Sequence, residues 1–346
     1  MKKIIQVLSL LVLSLSLVAC KDQEESGSLH VFNWGDYMDP DTIAMFEEET
    51  GVKVVYDTFA SNEDLYVKIK QGSDPYDVIV PSEYMLERMI TEDLLQPLDY
   101  DRIPNMSKLD PRLLDKPYDP GNTYSVPYFW GTLGMVVNRS IIEDEIDSWD
   151  ALWNEDYKGQ IIMYNSQRDS LAVALARLGY SMNSQNMEEL EEAKASLFQQ
   201  KHLVYAYLAD EVRDVMVQGE AGICVMYSGD ALAMMEENED LDYIIPKEGT
   251  NLWYDSFTVP KNAKNPQLAM DFINFMCRPD IAAKNAEYCT GYSSPIPEAI
   301  ALLPKEISQS PVSYPDLKDL PRLEVYIDLG EWTEVYDRIW TEVTAY

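Results

Sequence analysis

Short apolar runs alternate with helix-like segments along this chain, and this alternation restricts the fold more than any other feature. The predicted strands are the runs VFNW, VKVVYDTF, YDVIV, GQIIMY and AGICVMY. Helices are predicted over 41–50 and 62–71, after Ser82 as an N-cap, and over the acidic amphipathic segment 186–200. Such alternation indicates an α/β fold with parallel sheets covered by helices. The length favours two sheets, and residues 99–128, rich in Pro, Asp and Asn, are predicted to be a loop.

The first twenty residues have the pattern of a bacterial lipoprotein signal. Two lysines precede an apolar stretch over 4–18, which ends in Leu-Val-Ala-Cys. Residues 1–19 are therefore predicted to be a signal peptide, and Cys20 is predicted to carry the lipid that anchors an exported protein to a membrane. The alternative is an ordinary cleaved signal in which Cys20 occurs by chance.

Charge and cysteine content exclude several classes of function. The chain has 60 acidic and 27 basic residues, a formal net charge of −33, which argues against a nucleic acid as partner. Cys224 is predicted to be a buried small apolar residue, and whether Cys277 and Cys289 pair is left open. Two histidines and no C-x-x-C pattern make a zinc site improbable, so no metal and no cofactor are predicted.

Aromatic rings and carboxylates recur together where strands are predicted to end. In open parallel sheets, ligands bind at this edge, beside the starts of the helices. The first turn contains Trp34, Asp36 and Tyr37, and the others contain the following residues: Ser82 and Tyr84; Tyr164, Ser166 and Asp169; Tyr227 and Asp230; Trp253 and Asp255; Tyr292. Several such clusters at equivalent positions predict one binding site.

The chemistry of these turns suits a long aliphatic polycation. Ring faces attract cations, carboxylates accept hydrogen bonds from ammonium groups, and stacked rings cover methylenes. Arg168 is the one basic residue in these turns. Each residue also has a purely structural interpretation: Ser82 and Asp230 are good N-caps, Tyr164 can end a strand in the core, and Glu83 is expected to face solvent.

Longer motifs resemble the spermidine/putrescine-binding receptors of bacterial ABC polyamine importers. They are FNWGDY, DVIVPSEYM, YSVPYFWGTLGMVVN, LWNEDYKGQI, IPKEGTNLWYDSFTVPKNAKN, FINFMCRPDIA and TGYSSP, and the similarity runs from His30 to the last residue. The resemblance implies a two-lobed periplasmic-binding-protein fold of type II, with a mixed, mostly parallel sheet and flanking helices in each lobe. It implies an N-lobe of residues 28–135 plus 253–290, a C-lobe of residues 136–252 plus 291–346, and a ligand cleft between them.

The resemblance also assigns ligand-contacting positions, motif by motif. Ser166 stands where spermidine-preferring relatives often carry Asp, so the preference between spermidine and putrescine is left open, and Asp230 is a candidate to compensate. The implied contacts are Trp34, Asp36, Tyr37, Ser82, Tyr84, Asp169, Tyr227, Trp253, Asp255, Tyr292 and Tyr326.

The expected function is therefore that of an exported receptor, a monomer and not an enzyme. It would deliver a polyamine to an ABC permease and its ATPase. One alternative is a receptor of the same fold for a sugar, or for ferric iron held by paired tyrosines such as those in YCTGY. Another is a secreted glycoside hydrolase, which also lines a cleft with rings and two carboxylates.

Overall fold

A computed structural model describes residues 27–72, 75–209 and 211–345. The predicted signal peptide and the predicted lipid on Cys20 lie outside the described residues. The strands are β1 (Leu29–Trp34), β2 (Val54–Phe59), β3 (Val78–Ile79), β4 (Ser125–Asn138), β5 (Ile161–Tyr164), β6 (Val204–Leu208), β7 (Ile223–Tyr227), β8 (Leu241–Ile244), β9 (Thr250–Thr258) and β10 (Leu323–Glu324). The helices are α1 (Pro40–Thr50), α2 (Asn62–Gln71), α3 (Glu83–Thr91), α4 (Gln167–Arg177), α5 (Met187–Gln200), α6 (Val212–Val217), α7 (Ser228–Glu237), α8 (Pro266–Met276), α9 (Pro279–Tyr288), α10 (Pro297–Ile300), α11 (Lys305–Ser308) and α12 (Thr333–Ala345).

Hydrogen-bonded pairing joins these strands in the order β2-β1-β3-β9-β4-β7-β5-β6, with β10 beside β9 and β8 beside β4. The predicted α/β class is confirmed. The outer strands pair in parallel, as the alternation predicts, whereas β9 and β4 are antiparallel to their neighbours in this order. The mixed sheet that the resemblance implies is therefore present: two antiparallel strands at the centre connect two parallel halves, whereas the alternation alone predicts parallel pairing throughout.

The central strand β4 belongs to both halves of the sheet. Its residues 125–132 pair with β9, and residues 133–137 pair with β7. The sequence prediction missed this strand and assigned its first residues to the loop 99–128, because proline and glycine interrupt it. Pro127 lies at a register shift, and a Cβ on Gly131 would lie 2.5 Å from the Trp253 ring, so both residues have a local structural reason.

The predicted helices 62–71 and 41–50 are confirmed, the latter beginning one residue earlier at Pro40. The acidic helix begins at Met187, and Asn186 is its N-cap, with a side chain that accepts a hydrogen bond from Glu188 N. Ser82 occupies the N-cap position of α3, but its side chain makes no capping hydrogen bond. Asp230 lies in the first turn of α7, after the N-cap residue Tyr227, so it is not a cap.

Buried side chains form separate clusters with the two halves of the sheet. Leu29 of β1 packs with residues of α8, whereas Ile223 of β7 packs with residues of α4 and α12. Residues 296–307 pack in the β1 cluster, although sequence analysis groups the whole segment 291–346 with the other lobe. The physical reason is the short connection after α9, which leaves this segment beside the elements that precede it.

The three cysteines in the described part of the chain are free and buried. Burial raises the pKa of the Cys277 thiol to about 12, which favours the unreactive protonated form. Cys277 and Cys289 therefore act as small apolar core residues here. Within the described ranges, no helix combines the length and the apolar character that crossing a bilayer requires.

Candidate ligand-binding site

Segments distant in sequence meet at the junction of the two sheet halves. The turns after β1, β3, β5 and β7 contribute side chains there, as predicted from the rule for strand ends. Trp253 and Asp255, in contrast, lie inside strand β9 and not in a turn. They are two residues apart, so both project from the same face of the strand.

Five rings form a continuous row at this junction, which we call the aromatic row. The centroid of Tyr37 lies 5.0 Å from that of Tyr292, and Tyr292 lies 5.7 Å from Trp253. Trp253 lies 6.1 Å from Tyr227, which lies 5.4 Å from Tyr164. Every neighbouring pair meets at 66° to 85°, the edge-to-face geometry that aromatic rings prefer.

Asp255 lies at the Tyr37 end of the aromatic row and is 7% exposed. Tyr37 Oη donates a hydrogen bond to its Oδ2 at 2.7 Å, and Ser82 Oγ donates to its Oδ1 at 2.6 Å. Burial raises the pKa of the Asp255 carboxyl to about 6, although both hydrogen bonds act in the opposite direction. The Ser82 hydroxyl is therefore oriented toward Asp255, and it makes no capping bond to α3.

Two further carboxylates bond to phenols beside the aromatic row. Tyr227 Oη donates to Asp169 Oδ2 at 2.9 Å, and Tyr326 Oη donates to Asp169 Oδ1 at 3.2 Å. Asp169 is 3% exposed, and burial raises the pKa of its carboxyl. Tyr292 Oη donates to Asp230 Oδ2 at 2.7 Å. Three carboxylates are therefore spaced along one row of rings.

Cationic side chains do not neutralise the two most buried of these acids. In the described part of the chain, no lysine or arginine forms an ion pair with Asp255 or Asp169. The neighbouring Arg168 donates to Met182 O and Asn183 Oδ1, and its guanidinium lies 4.2 Å from the centroid of the Tyr326 ring. The charge of Arg168 acts on Asp169 only through space, and neither carboxylate has a cation bonded to it. Burying a carboxylate without such a partner is costly, so the site is electrostatically suited to a cation.

Four predicted residues lie at the margins of this arrangement. The ring centroids of Trp34 and Phe59 lie 4.6 Å apart, and Trp34 packs against two core clusters. Asp36 is exposed and has a φ of +47°, a left-handed conformation that aspartate tolerates better than most residues. Ser166 caps α4 by accepting from Asp169 N at 3.3 Å, and Tyr84 Oη donates to Glu63 Oε1 at 3.3 Å.

The prediction that Glu83 faces solvent is wrong. Glu83 is 1% exposed, and its Oε2 accepts a hydrogen bond from Tyr254 N at 2.9 Å. Burial raises the pKa of the Glu83 carboxyl to about 8, and the charge of Asp255 acts in the same direction. The Glu83 carboxyl thus accepts a backbone hydrogen bond from β9, as a neighbouring strand would, at the point where the chain enters α3. No local sequence pattern reveals this role.

Asn62 also escaped the sequence analysis, which treats it only as the start of a helix. It is 5% exposed, and its side chain contacts both Ser82 and Tyr84. No signal for this role is present in the sequence, because the burial of Asn62 at the start of its helix is visible only in the structure.

Comparison with known proteins places this arrangement in a family. Residues 41–315 match the model of the bacterial extracellular solute-binding proteins. The chain is similar to the spermidine/putrescine-binding periplasmic protein of Escherichia coli (strain K12), with 35% identity over 324 residues, 93% of each chain.

Solved structures agree. The spermidine/putrescine ABC transporter substrate-binding protein PotD of Streptococcus pneumoniae, in complex with calcium and HEPES, is 43% identical with a TM-score of 0.83, over 92% of this chain and 99% of that one. The Tp0655 (TpPotD) lipoprotein of Treponema pallidum is 30% identical with a TM-score of 0.85, over 92% and 100%. With this match in sequence and fold, the chain belongs to the bacterial extracellular solute-binding proteins and has the predicted periplasmic-binding-protein fold.

Proposed function

We propose that the protein is a receptor that binds spermidine or putrescine and delivers it to an ABC importer. The observation that carries the proposal is the aromatic row with its three carboxylates, of which Asp255 and Asp169 are buried and form no ion pair with a lysine or arginine of the described residues. A polyamine supplies ammonium groups for the carboxylates and methylenes for the rings. The names of the similar proteins from Escherichia coli and Streptococcus pneumoniae support the same ligand class.

Delivery requires no chemistry from this chain. We propose that the two lobes predicted from the sequence close around the ligand, since contacts from both halves favour the closed state. The packing of residues 296–307 supports one change in the proposed boundaries, which moves this segment to the N-lobe. A lipid on Cys20 would hold the receptor, acting as a monomer, at the membrane that carries the permease.

The alternative ligands are less well supported. Tyr288 and Tyr292, the candidates for an iron site, have different surroundings: Tyr288 is 45% exposed on α9, whereas Tyr292 bonds to Asp230 within the aromatic row. A sugar does not require buried anions, and a glycoside hydrolase is not the function of the similar proteins named above, which are binding proteins.

An equilibrium titration of the delipidated protein tests the proposal directly. Putrescine and spermidine are each titrated at two salt concentrations, with a neutral sugar and ferric citrate as competing candidates. We expect saturable binding of at least one polyamine, weaker at high salt because the attraction is partly electrostatic. Binding of the sugar or of ferric citrate without any polyamine binding would refute the proposed function.

Replacing Ser166 by aspartate is expected to shift the preference toward spermidine by about tenfold, the value of an added charge-assisted hydrogen bond. Aspartate is as good an N-cap as serine, so helix α4 is expected to remain intact. Calorimetric titration of both amines measures the ratio of affinities. Ser166→Asn is the matched control, because it keeps the cap and adds no charge. An equal shift in both variants, or no shift in either, would show that this position does not select the ligand.

A further inference from the structure

We infer that Asn62 is a positioning residue for ligand binding, because its amide fixes the direction of the hydrogen bond from Ser82 to Asp255. The inference rests on the proposed function. Asn62 is the first residue of α2, is 5% exposed, and has its amide group against the turn that follows β3.

The orientation of the Asn62 amide follows from its partners. Ser82 N, which can only donate, bonds to Asn62 Oδ1 at 3.0 Å. The Nδ2 atom must therefore face the other partners, Ser82 Oγ at 3.0 Å and Tyr84 Oη at 3.1 Å. An amide NH₂ group has no acceptor capacity, so both hydroxyl oxygens accept from Asn62.

The direction of the remaining protons is then determined. Ser82 has one hydroxyl proton, and it goes to Asp255 Oδ1 at 2.6 Å. Tyr84 directs its proton to Glu63 Oε1 at 3.3 Å. Since Tyr37 donates to the other oxygen of Asp255, this carboxylate is held by two hydroxyl donors and keeps its remaining lone pairs for an ammonium group. Asn62 thus acts on the ligand through Ser82, without touching it.

For Asn62→Asp, simple electrostatics and our inference predict opposite changes in the affinity for the ligand. By Coulomb attraction alone, an extra anion near the site would strengthen the binding of spermidine or putrescine. Our inference predicts the opposite, a loss of about tenfold or more, because an ionised aspartate accepts the Ser82 proton and withdraws it from Asp255.

The pH profile of the affinity provides a readout that a purely structural role would not change. The Ser82 hydrogen bond lowers the pKa of Asp255, so the decline in affinity at low pH is expected to begin at higher pH in Asn62→Ala, which adds no charge of its own, than in the wild type. The groups that face Asp255 are Tyr37 and Ser82 by hydrogen bonds, and Glu83 and Tyr292 by charge. None of these is changed in the variant.

The experiment is a calorimetric double-mutant cycle with spermidine and putrescine as probes. Asn62→Asp and Asn62→Ala are each made in the wild type and in Ser82→Ala. We expect Asn62→Ala to weaken binding about tenfold in the wild type and less than threefold when Ser82 is absent. The alanine variant keeps the test valid if the aspartate variant does not fold.

Ser61→Ala is the matched control, because Ser61 caps the same helix by accepting from Asp64 N at 3.1 Å. It is expected to lower the thermal stability and leave the affinity unchanged. Equal losses in both Ser82 backgrounds, or tighter binding in Asn62→Asp, would overturn the inference about Asn62 alone. A wild-type protein that binds neither amine would instead refute the proposed function.

Discussion

Asp255→Asn is expected to weaken polyamine binding by about 2 to 5 kcal/mol, the usual cost of removing one partner of a desolvated charge pair. The loss corresponds to a factor of roughly 30 to several thousand in affinity. Asp255 is buried, and the two hydroxyl groups that bond to it do not neutralise its charge. Calorimetric titration with putrescine and spermidine measures the loss.

The pH dependence of binding has the same origin. The carboxylate must be ionised to hold an ammonium group, and burial raises the pKa of Asp255 to about 6 in the ligand-free protein. Protons therefore compete with the polyamine, and the affinity of the wild type is expected to fall as the pH drops below that value. Asp255→Asn is expected to show a weaker pH dependence, with Asp169 contributing what remains.

Asp101→Asn is the matched control for Asp255→Asn, because it removes the same formal charge from an exposed position. We expect it to change the affinity little at physiological salt, where exposed charges are screened. If both variants bind the polyamine as tightly as the wild type, Asp255 is not a ligand contact.

Glu83→Gln is expected to flatten the dependence of stability on pH. In the folded protein burial raises the pKa of Glu83 to about 8, from an ordinary value of 4.5. The folded state therefore binds the proton more tightly than the unfolded state, and its stability declines as the pH rises through this interval. For a shift of this size, the free energy of unfolding falls by on the order of 3 kcal/mol between pH 4.5 and pH 7. Glutamine cannot ionise and still offers Tyr254 N an acceptor.

Denaturant unfolding of the ligand-free protein at a series of pH values measures this effect. The slope between pH 5 and pH 8 is expected to be smaller in Glu83→Gln than in the wild type. Glu48→Gln makes the same chemical change at an exposed position of α1 and should keep the wild-type slope. Identical slopes in all three proteins would mean that Glu83 is not protonated in the folded state.

Local sequence predicted several of the strand and helix units of the fold. Strands β1, β2, β5 and β7 and the helices after them follow from apolar periodicity, capping residues and turn residues, all of which act over a few positions. Strands β6, β8 and β10 were not predicted, and neither were the two central strands β4 and β9. The residues of β4 and β9 are buried on both faces, so they show no alternation, and Pro127, Gly131 and Gly134 in β4 resemble loop residues.

The residue types of the candidate site were predictable from the sequence, but the contacts between their side chains were not. Rings beside acids at strand ends, and motifs shared with known receptors, indicate Tyr37, Asp169 and Asp255 as candidate ligand contacts from the sequence alone. The sequence did not show that Glu83 is buried, or that Asn62 reaches Ser82. The burial of Glu83 depends on where α3 packs against β9, and the contact of Asn62 with Ser82 depends on where α2 packs against the start of α3.

The sequence by itself determined the alternating α/β character of the chain, the acidic character of the protein, and the residue types that a polycation needs, because these are local or additive properties. Only the tertiary structure decided which hydroxyl donates a hydrogen bond to which carboxylate. Tyr37 and Asp255 are 218 positions apart in the chain, and they meet because β3 pairs with β1 on one side and with β9 on the other, which brings β1 and β9 into one sheet. The burial that raises the pKa values of Glu83 and Asp255 has the same origin, since desolvation is produced by the packed molecule as a whole.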